Sequence, residues 1–313
     1  MSEKKVCILL AAYNGAAYVR QQIESVLQQE NADIQLILSD DGSEDGTDEI
    51  LAGYEKKYPE CVICHRSGRR FGSPQKHFMY LLSRFHDAPY IMFCDQDDIW
   101  HRDKVRKTLE KMRQTEGSIH RPVLVHTDLR VVDRSMNQIA PSFCDYSDVD
   151  GSRLKLNQLL VQNVVTGCTV MINRPLAEIA CTAIPESGVI MHDWWLALLA
   201  SACGAAAFLN EATIDYRQHD TNSVGAKNVR SPSYLWERFS AQKRMRDALT
   251  DTAVQAESFL KCYGSFLNPQ LKELIRAFAS TKDKGLLGRD LVYLRHHLLK
   301  DGIIRIVPQL LGM

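Results

Sequence analysis

Three carboxylates occupy four consecutive positions at the end of one apolar run, in the stretch IMFCDQDDIW. Asp95, Asp97 and Asp98 are like charges that repel one another unless a cation offsets them. Mg²⁺ or Mn²⁺ would do so, because these ions prefer oxygen ligands and bind a few carboxylates together with substrate phosphates. The alternative is that the aspartates cap the following helix, since Asp favours helix N-termini.

Two more polar clusters follow apolar runs, and capping alone does not explain their recurrence. Ala12, Tyr13 and Asn14 end the first run, and SDDGSEDGT, which contains Asp40 and Asp41, ends the second. Ligands bind outside the carboxyl ends of the strands in open parallel sheets. We therefore expect these polar residues to converge on one cleft.

Alternating strands and helices must position these clusters. Four near-continuous apolar runs have the pattern of strands buried on both faces. A segment with apolar residues at helical spacing follows each of them. The strands are predicted within 5–14, 34–41, 61–65 and 89–98, and the helices within 16–29, 47–58, 76–85 and 101–114. This alternation predicts an α/β fold with a mostly parallel central sheet flanked by helices.

Composition and missing motifs exclude several classes of protein. The turn after the first strand, AAYNGAAYV, lacks G-x-G-x-x-G, and no G-x-x-x-x-G-K-[ST] occurs, which argues against dinucleotide dehydrogenases and P-loop nucleotidases. The 38 basic and 38 acidic residues cancel, so the chain carries no overall field for nucleic acid, and no nucleic-acid partner is expected.

The cellular compartment follows from the absence of sorting signals in the sequence. No apolar run reaches the roughly 18 residues of a membrane span, and the N-terminus has no signal-peptide pattern. We therefore expect a cytoplasmic protein whose nine cysteines are free thiols. CVICH, residues 61–65, matches a haem-attachment pattern, but that chemistry normally needs an exported chain, so a short strand is the preferred interpretation.

Five motifs in this order resemble those of the family 2 glycosyltransferases, which have the GT-A nucleotide-diphospho-sugar transferase fold. They are AAYNG, SDDGSEDGT, DQDD as the D-x-D motif, HDWW at 192–195, and YRQHDTNSVG with its R-x-H. The resemblance covers roughly residues 4–226. Within the family, the motif sequences DQDDIW and YRQH are most similar to those of bacterial rhamnosyltransferases of polysaccharide and O-antigen synthesis.

The resemblance implies an organisation and an activity. It implies a catalytic domain at 1–226, with a nucleotide-sugar half about 1–100 and an acceptor half about 101–226, followed by a helical C-terminal region at 227–313. The implied activity is inverting, metal-dependent transfer of a sugar, with rhamnose from dTDP-rhamnose as the first choice. UDP-hexose-dependent transfer and a non-catalytic nucleotide- or glycan-binding scaffold at the membrane are the alternatives.

The resemblance also assigns donor-binding roles. Ala12, Tyr13 and Asn14 would lie at the nucleotide, and Asp40 would hydrogen-bond the base imide that uracil and thymine share. Asp41 would support that loop or the base. The residues assigned to the diphosphate, the ribose or the divalent cation, Mg²⁺ or Mn²⁺, are Lys76, Asp95, Gln96, Asp97, Arg217 and His219, with Asp95, Asp97 and His219 as metal ligands. Arg217 could instead help to hold its loop.

The remaining roles concern the acceptor, a glycan or lipid-linked oligosaccharide. Asp193 would be the general base, although it could be only a helix N-cap. Trp194 and Trp195 could stack on the acceptor, although adjacent indoles often have one ring in the core. The further acceptor contacts would be Gly167, Cys168 and His192, with a simple turn as the alternative for the first two.

The tail is a separate question. Residues 285–311 have apolar residues at helical intervals with arginine and lysine between them. This pattern fits a basic amphipathic helix on the inner face of the cell membrane. It fits equally a helical cap on the catalytic domain or on another subunit of a homo-oligomer.

Overall fold

The first half of the chain forms the predicted strand–helix alternation. The computed structural model describes residues 6–118, 120–219 and 242–311. The elements are β1 (Val6–Ala12), α1 (Val19–Leu27), β2 (Ile34–Asp40), α2 (Thr47–Lys57), β3 (Val62–Cys64), α3 (Pro74–Phe85) and β4 (Tyr90–Cys94). All pairs in the order β3-β2-β1-β4 are parallel, because helical crossovers return the chain to the same edge.

The second half extends this sheet with mixed pairing. Its elements are β5 (Ile99–Trp100), α4 (Lys104–Glu116), β6 (Val123–Val132), β7 (Gln138–Ala140), α5 (Phe143–Tyr146), α6 (Leu156–Val161), β8 (Met171–Asn173), α7 (Arg174–Thr182), α8 (His192–Cys203) and β9 (Ala205–Arg217). β8 joins β4 and β6 antiparallel, β9 is parallel to β6, and β5 is antiparallel to β9. The expectation of a mostly parallel sheet therefore holds for the first half, and the nine-stranded sheet as a whole is mixed.

Two apolar cores cover the two faces of the sheet. One face packs against α1, α2 and α4, and the other against α3, α7 and α8. Strand β1 serves both faces, since Ile8 and Leu10 belong to one core and Cys7 and Leu9 to the other. This alternation explains why the strand reads as a continuous apolar run.

The C-terminal helices complete the second core. They are α9 (Gln242–Tyr263), α10 (Pro269–Ala279), α11 (Leu286–Arg295) and α12 (Ile303–Leu311). The rings of Phe259 and Tyr263 lie 5.4 and 5.7 Å from that of Trp195, all three fully buried. Helix α9 thus packs on the sheet domain, while the predicted boundary after residue 226 lies outside the described residues.

All nine cysteines are free, as the odd count predicts. The CVICH stretch contributes Val62–Cys64 to β3, in agreement with the strand interpretation. In the described ranges, no helix combines the length and the hydropathy that a membrane span requires.

Candidate active site

A cavity of about 570 Å³ opens at the carboxyl ends of β1, β2 and β4. The strand order runs outward from β1 to β2 and β3 on one side and to β4 on the other. This reversal of strand order beside β1 is the switch point at which open α/β sheets bind ligands. Four carboxylates line the cavity, namely Asp41, Asp95, Asp97 and Asp193. The polar strand ends therefore converge as the sequence predicts.

Tyr13 is fixed at the cavity mouth by Gln96. The Tyr13 amide donates to Gln96 Oε1 at 2.8 Å, and Gln96 Nε2 donates to the Tyr13 carbonyl at 3.0 Å. Gly15 makes room for this pair, since a Cβ there would lie 2.2 Å from Gln96 Oε1. Ala12, Tyr13 and Gln96 all line the cavity, which leaves the exposed Tyr13 ring available to a flat ligand.

Asp40 and Asp41 have different surroundings. Asp40 Oδ2 accepts from the amides of Gly42 and Ser43 at 2.9 and 2.8 Å, and Asp40 is not part of the cavity lining. Asp41 is buried and lines the cavity. The expectation that Asp40 contacts the base therefore needs correcting, because its carboxylate stabilises its own turn and Asp41 faces the ligand space.

The loop after β3 brings the positively charged side chain of Arg70 to the cavity, which the sequence motifs do not reveal. Asp41 accepts hydrogen bonds from the amides of Phe71 and Gly72, the second at 2.8 Å, which holds this loop over the cavity. The Arg70 guanidinium lies 4.9 Å from the Tyr13 ring centre, donates to the Tyr13 hydroxyl and lines the cavity. An arginine on an aromatic ring at the cavity mouth can bind both a base and a phosphate.

Two expected donor contacts lie outside the cavity lining. Asn14 has a positive φ of 48°, and its Oδ1 accepts from the Glu44 amide at 2.9 Å, so it joins the loops after β1 and β2. Lys76 is exposed in the first turn of α3. Neither residue lines the cavity, so Asn14 serves the loop contact, and a contact of the exposed Lys76 with the donor stays a prediction.

Asp97 and His219 form the most direct candidate for a metal site. His219 Nε2 lies 2.8 Å from Asp97 Oδ2, and both side chains are largely buried. The His219 ring stacks on Tyr18 with 4.9 Å between centres, which fixes its plane. Asp97 lines the cavity, and His219 lies outside the lining but contacts the Asp97 carboxylate. A carboxylate oxygen and an imidazole nitrogen this close together fit the predicted divalent cation.

Hydrogen bonds from Arg217 hold the segment that contains Asp97 and Asp98 in position. Its Nε donates to the Asp97 carbonyl at 2.8 Å, its Nη2 to Gln21 Oε1 at 2.7 Å, and its amide to Asp98 Oδ1 at 3.1 Å. Arg217 is buried outside the cavity lining, so its assignment as a donor ligand is corrected to that of a positioning residue. Asp98 does not cap the following helix, as one interpretation of the sequence suggests, because α4 begins only at Lys104.

A second group of potential ligand atoms lies partly outside the cavity, since Asp95 lines it and Asp98 and Cys168 do not. Oxygens of Asp95 and Asp98 and the Cys168 sulfur lie within 4.8 Å of one another. Burial raises the pKa of Asp98 and of the Cys168 thiol well above their ordinary values. A protonated thiol is a poor ligand for Mg²⁺ or Mn²⁺, so this group fits the predicted cation less well than Asp97 and His219 do. Cys168 does not line the cavity, which corrects its assignment to the acceptor.

Asp193 projects into the cavity from the first turn of α8. Its Oδ1 accepts from the Trp194 amide at 2.5 Å and from Asn163 Nδ2 at 3.2 Å. Burial raises its pKa to about 7 despite these bonds. Burial, Asp97 and Asp193, in that order, raise the pKa of Asp95 to about 7. These contacts fix the orientation of the Asp193 carboxylate, which lies close enough to Asp95 to affect its pKa.

The residues around Asp193 differ in their access to the cavity. Gly167 lines it, and a Cβ there would lie 2.8 Å from His192 Nε2 and 3.4 Å from Asp193 Oδ2. His192 also lines it, with its ring 4.5 Å from Phe78 and 5.1 Å from Phe93. Burial lowers the pKa of His192 to about 3, so the ring is neutral.

Neither indole of the HDWW motif faces the cavity. Trp195 is fully buried and its Nε1 donates to the Tyr263 hydroxyl at 3.2 Å. Trp194 is half-buried and its Nε1 donates to the Leu159 carbonyl at 2.6 Å. The expected stacking of these rings on the acceptor is therefore corrected, because both belong to the packing of α8.

Comparison with known proteins agrees with this arrangement. The model of the family described as Glycosyl transferase family 2 matches residues 7–179. The dTDP-rhamnosyl transferase RfbG of Shigella flexneri is 27% identical over 229 residues, which cover 69% of this chain and 74% of RfbG.

Two solved structures share the fold. S. aureus TarS 1–349, in complex with UDP-GlcNAc, has a TM-score of 0.58 at 14% identity, over 89% of this chain and 72% of TarS. The mannosyltransferase PcManGT from Pyrobaculum calidifontis, in complex with GDP-Man and Mn²⁺, has a TM-score of 0.52 at 15% identity, over 95% of this chain and 81% of that one.

Proposed function

The chain belongs to glycosyl transferase family 2, with the GT-A fold, and we propose that it is an inverting, metal-dependent glycosyltransferase. One observation carries the proposal: Asp95, Asp97 and Asp193 line a single cavity, although they come from the end of β4 and the start of α8. Sugar transfer from a nucleotide needs a site for the diphosphate and a base for the acceptor hydroxyl. The two sets of carboxylates supply them.

Asp97 and His219 would hold the divalent cation, Mg²⁺ or Mn²⁺, with Asp95 beside them. Their ligand atoms converge at 2.8 Å, and Arg217 and Tyr18 fix the positions of Asp97 and His219. Such a cation stabilises the negative charge of a leaving nucleoside diphosphate. The mannosyltransferase of similar fold is in complex with Mn²⁺ and a nucleotide sugar, which supports a metal-dependent reaction here.

The nucleotide would lie in the cavity beside Tyr13 and Arg70, which contact each other at its mouth. Asp41 lies below this space and keeps lone pairs beyond those used by the Phe71 and Gly72 amides. A carboxylate can accept the imide N–H that uracil and thymine share, so Asp41 fits a uridine or thymidine nucleotide. Gln96 keeps the Tyr13 backbone in place beneath the base.

The transfer would be a single displacement. Asp193 accepts the proton of an acceptor hydroxyl, whose oxygen forms a bond to the anomeric carbon. The bond from that carbon to the diphosphate oxygen breaks, and its electron pair leaves with the diphosphate. The transition state has oxocarbenium character, and one displacement inverts the anomeric centre. The pKa of about 7 suits Asp193 to this role, since a general base works best near the operating pH.

The donor and acceptor are the finer part of the proposal. The similarity to RfbG, named a dTDP-rhamnosyl transferase, favours dTDP-rhamnose and a glycan or lipid-linked oligosaccharide acceptor in bacterial polysaccharide synthesis. The alternative donor is a UDP-hexose, which the UDP-GlcNAc complex of TarS supports. A non-catalytic scaffold is disfavoured, because both Asp97 and Asp193 are present and line the cavity.

A thermal-shift screen of dTDP- and UDP-sugars with and without Mn²⁺ tests the donor site. A ligand that binds the folded state raises the melting temperature by mass action. We expect a metal-dependent shift that Asp97→Ala abolishes and that Asp283→Ala, an exposed carboxylate in the C-terminal region, preserves. The best donor is then incubated with candidate acceptors, where Asp193→Asn should bind donor without transferring sugar. Folded protein that responds to no nucleotide would overturn the proposal.

A further inference from the structure

Helix α12 has its polar and apolar residues in the reverse of the usual arrangement. Arg305 and Gln309 are buried, whereas Ile303 is 78% exposed and Leu311 is 51% exposed. With about 3.6 residues per turn, positions 303, 304, 307 and 311 share one side of the helix, and 305 and 309 lie opposite. A helix of a globular protein normally directs its apolar side toward the core.

Hydrogen bonds fix this orientation. Arg305 Nη1 donates to the Asp148 carbonyl at 2.6 Å, and Nη2 donates to the Ser147 carbonyl. Gln309 Nε2 donates to the Leu298 carbonyl at 2.8 Å, while its Oε1 accepts from the Lys300 amide at 2.9 Å. Rotating the helix would leave these buried groups unsatisfied, which is costly. The outward apolar side is therefore built into the fold.

Helix α11 continues the exposed apolar side chains. Leu287 and Leu291 are 80% and 68% exposed, and Leu294 follows one turn later. Arg289 Nη2 donates to the Gln309 carbonyl at 3.0 Å and joins the two helices. We call the following residues the C-terminal apolar surface: Leu287, Leu291, Leu294, Ile303, Ile304, Val307 and Leu311. A group of exposed apolar residues of this kind marks a binding surface.

We propose that the C-terminal apolar surface docks on a membrane that contains anionic lipid. Charge identifies this occupant: residues 284–311 contain five lysines and arginines against two aspartates, and of these basic residues Lys284 and Arg295 are exposed and Lys300 is half-buried. Basic residues beside an apolar helix face are the pattern of interfacial helices, which insert apolar side chains between lipids and attract acidic headgroups. A second copy docking on the same face would instead bring like charges together.

The surface is anchored to segments that reach the cavity. Ser147 and Asp148, which hold Arg305, precede Val149, and Val149 lines the cavity. The Asp301 amide donates to Gln162 Oε1 at 2.8 Å, next to Asn163, which also lines it. If the proposed function holds, docking would bring the acceptor side of the cavity close to lipid-linked glycans. Docking itself does not depend on that function.

Cosedimentation of the full chain with lipid vesicles tests the proposal. We expect binding to vesicles of phosphatidylcholine mixed with phosphatidylglycerol, and much weaker binding to phosphatidylcholine alone. The variant Ile303→Ser/Val307→Ser should reduce binding to the mixed vesicles by about tenfold or more, since each exposed apolar side chain contributes to insertion. The matched control is Ile139→Ser, which alters an isoleucine on β7 that is as exposed as Val307.

The outcomes are distinct. No binding by the folded full chain, or equal binding by the double variant, overturns the proposal. A dimer in gel filtration that the double variant abolishes, without vesicle binding, overturns it in favour of a second copy. Transfer to a soluble acceptor should be equal in the wild type and the double variant. If vesicle binding fails while sugar transfer is intact, only the docking proposal fails. If sugar transfer fails while vesicle binding is intact, only the proposed function fails.

Discussion

His219 Nε2 lies 2.8 Å from Asp97 Oδ2, although 122 residues separate them in the sequence. The antiparallel pairing of β5 with β9, in which Ile99 faces Asp215, brings the two segments together. Arg217 adds hydrogen bonds to the backbone of Asp97 and the carboxylate of Asp98. The D-x-D and R-x-H motifs are therefore one structural unit at the cavity edge.

Replacement of His219 should weaken metal binding without unfolding the chain. We expect His219→Ala to lower the affinity for Mn²⁺ in the presence of donor by about 10- to 100-fold, because a nitrogen ligand is lost. Titration calorimetry measures this directly. The matched control is His101→Ala, which removes another histidine–carboxylate contact of 2.8 Å, to Asp215, a carboxylate that does not line the cavity as Asp97 does. Equal Mn²⁺ affinity in wild type and His219→Ala would exclude His219 as a ligand.

The catalytic rate should depend on the ionisation of Asp193. Burial raises its pKa to about 7, so the carboxyl is protonated below that pH and cannot accept the acceptor proton. Activity should therefore rise with pH through about 7, and Asp193→Asn should lower kcat by about 10²- to 10⁴-fold with little change in donor affinity. A pH–rate profile and donor titrations measure both quantities. Asn163→Ala, which leaves the carboxylate, should retain the pH dependence with a smaller loss of rate. Unchanged kcat in Asp193→Asn would assign the base elsewhere.

The same substitution should stabilise the protein at alkaline pH. A carboxyl whose folded pKa is raised favours the folded state while it is protonated, and this stability is lost as the pH rises through about 7. Asp193→Asn carries no charge, so its melting temperature should exceed that of the wild type more at pH 8 than at pH 5. A few degrees are expected, since about 1 kcal/mol shifts the melting temperature by roughly 2 to 4 °C at this size. Metal-free calorimetry at both pH values checks the sign, and an equal difference would contradict it.

The first half of the fold was predictable because each of its longer strands is buried on both faces. Such strands give continuous apolar runs, and the helices between them have clear apolar periodicity. The second half was harder, since β7 and β8 have three residues each, too few to show a period. The pairing of β6 with β9 also contains register shifts, which only tertiary packing determines.

The site was predictable in position and less so in detail. Tyr13, Asp95 and Asp97 follow strands, so topology alone places them at the cavity. The choice between Asp40 and Asp41 depends on the local turn, because adjacent side chains at a strand end point in different directions. The sequence motifs do not reveal Arg70, because it lies in an irregular loop that Asp41 holds in place. No periodic pattern marks a residue whose position depends on such a contact.

Gly15→Ala should weaken donor binding through Gln96. The new Cβ would lie 2.2 Å from Gln96 Oε1, so Gln96 must leave the Tyr13 backbone. We expect about a tenfold loss in donor affinity, comparable to the loss of one or two hydrogen bonds, in a protein that remains folded. Fluorescence titration with nucleotide measures it. Gln96→Ala should give a similar loss, whereas Gly53→Ala, where a Cβ meets no atom within 4 Å, is the control. Undiminished donor affinity in Gly15→Ala would show that the hydrogen bonds between Gln96 and the Tyr13 backbone do not position Tyr13 for the donor.

Tyr263 should stabilise the contact between α9 and α8 without taking part in catalysis. Its hydroxyl accepts from Trp195 Nε1 at 3.2 Å and lies 2.9 Å from the carbonyl oxygens of Ala180 and Ala183, which accept from it. Tyr263→Phe leaves these buried groups without their partner, so the free energy of unfolding should fall by about 1 to 3 kcal/mol. Urea denaturation measures the loss, and the KM values for donor and acceptor should stay unchanged. Cys262→Ser, a neighbouring half-buried position, is the control. A raised acceptor KM in folded Tyr263→Phe would indicate that Trp195 contacts the acceptor. A loss of stability with unchanged KM values would indicate that Trp195, the second indole of the HDWW motif, belongs to the core.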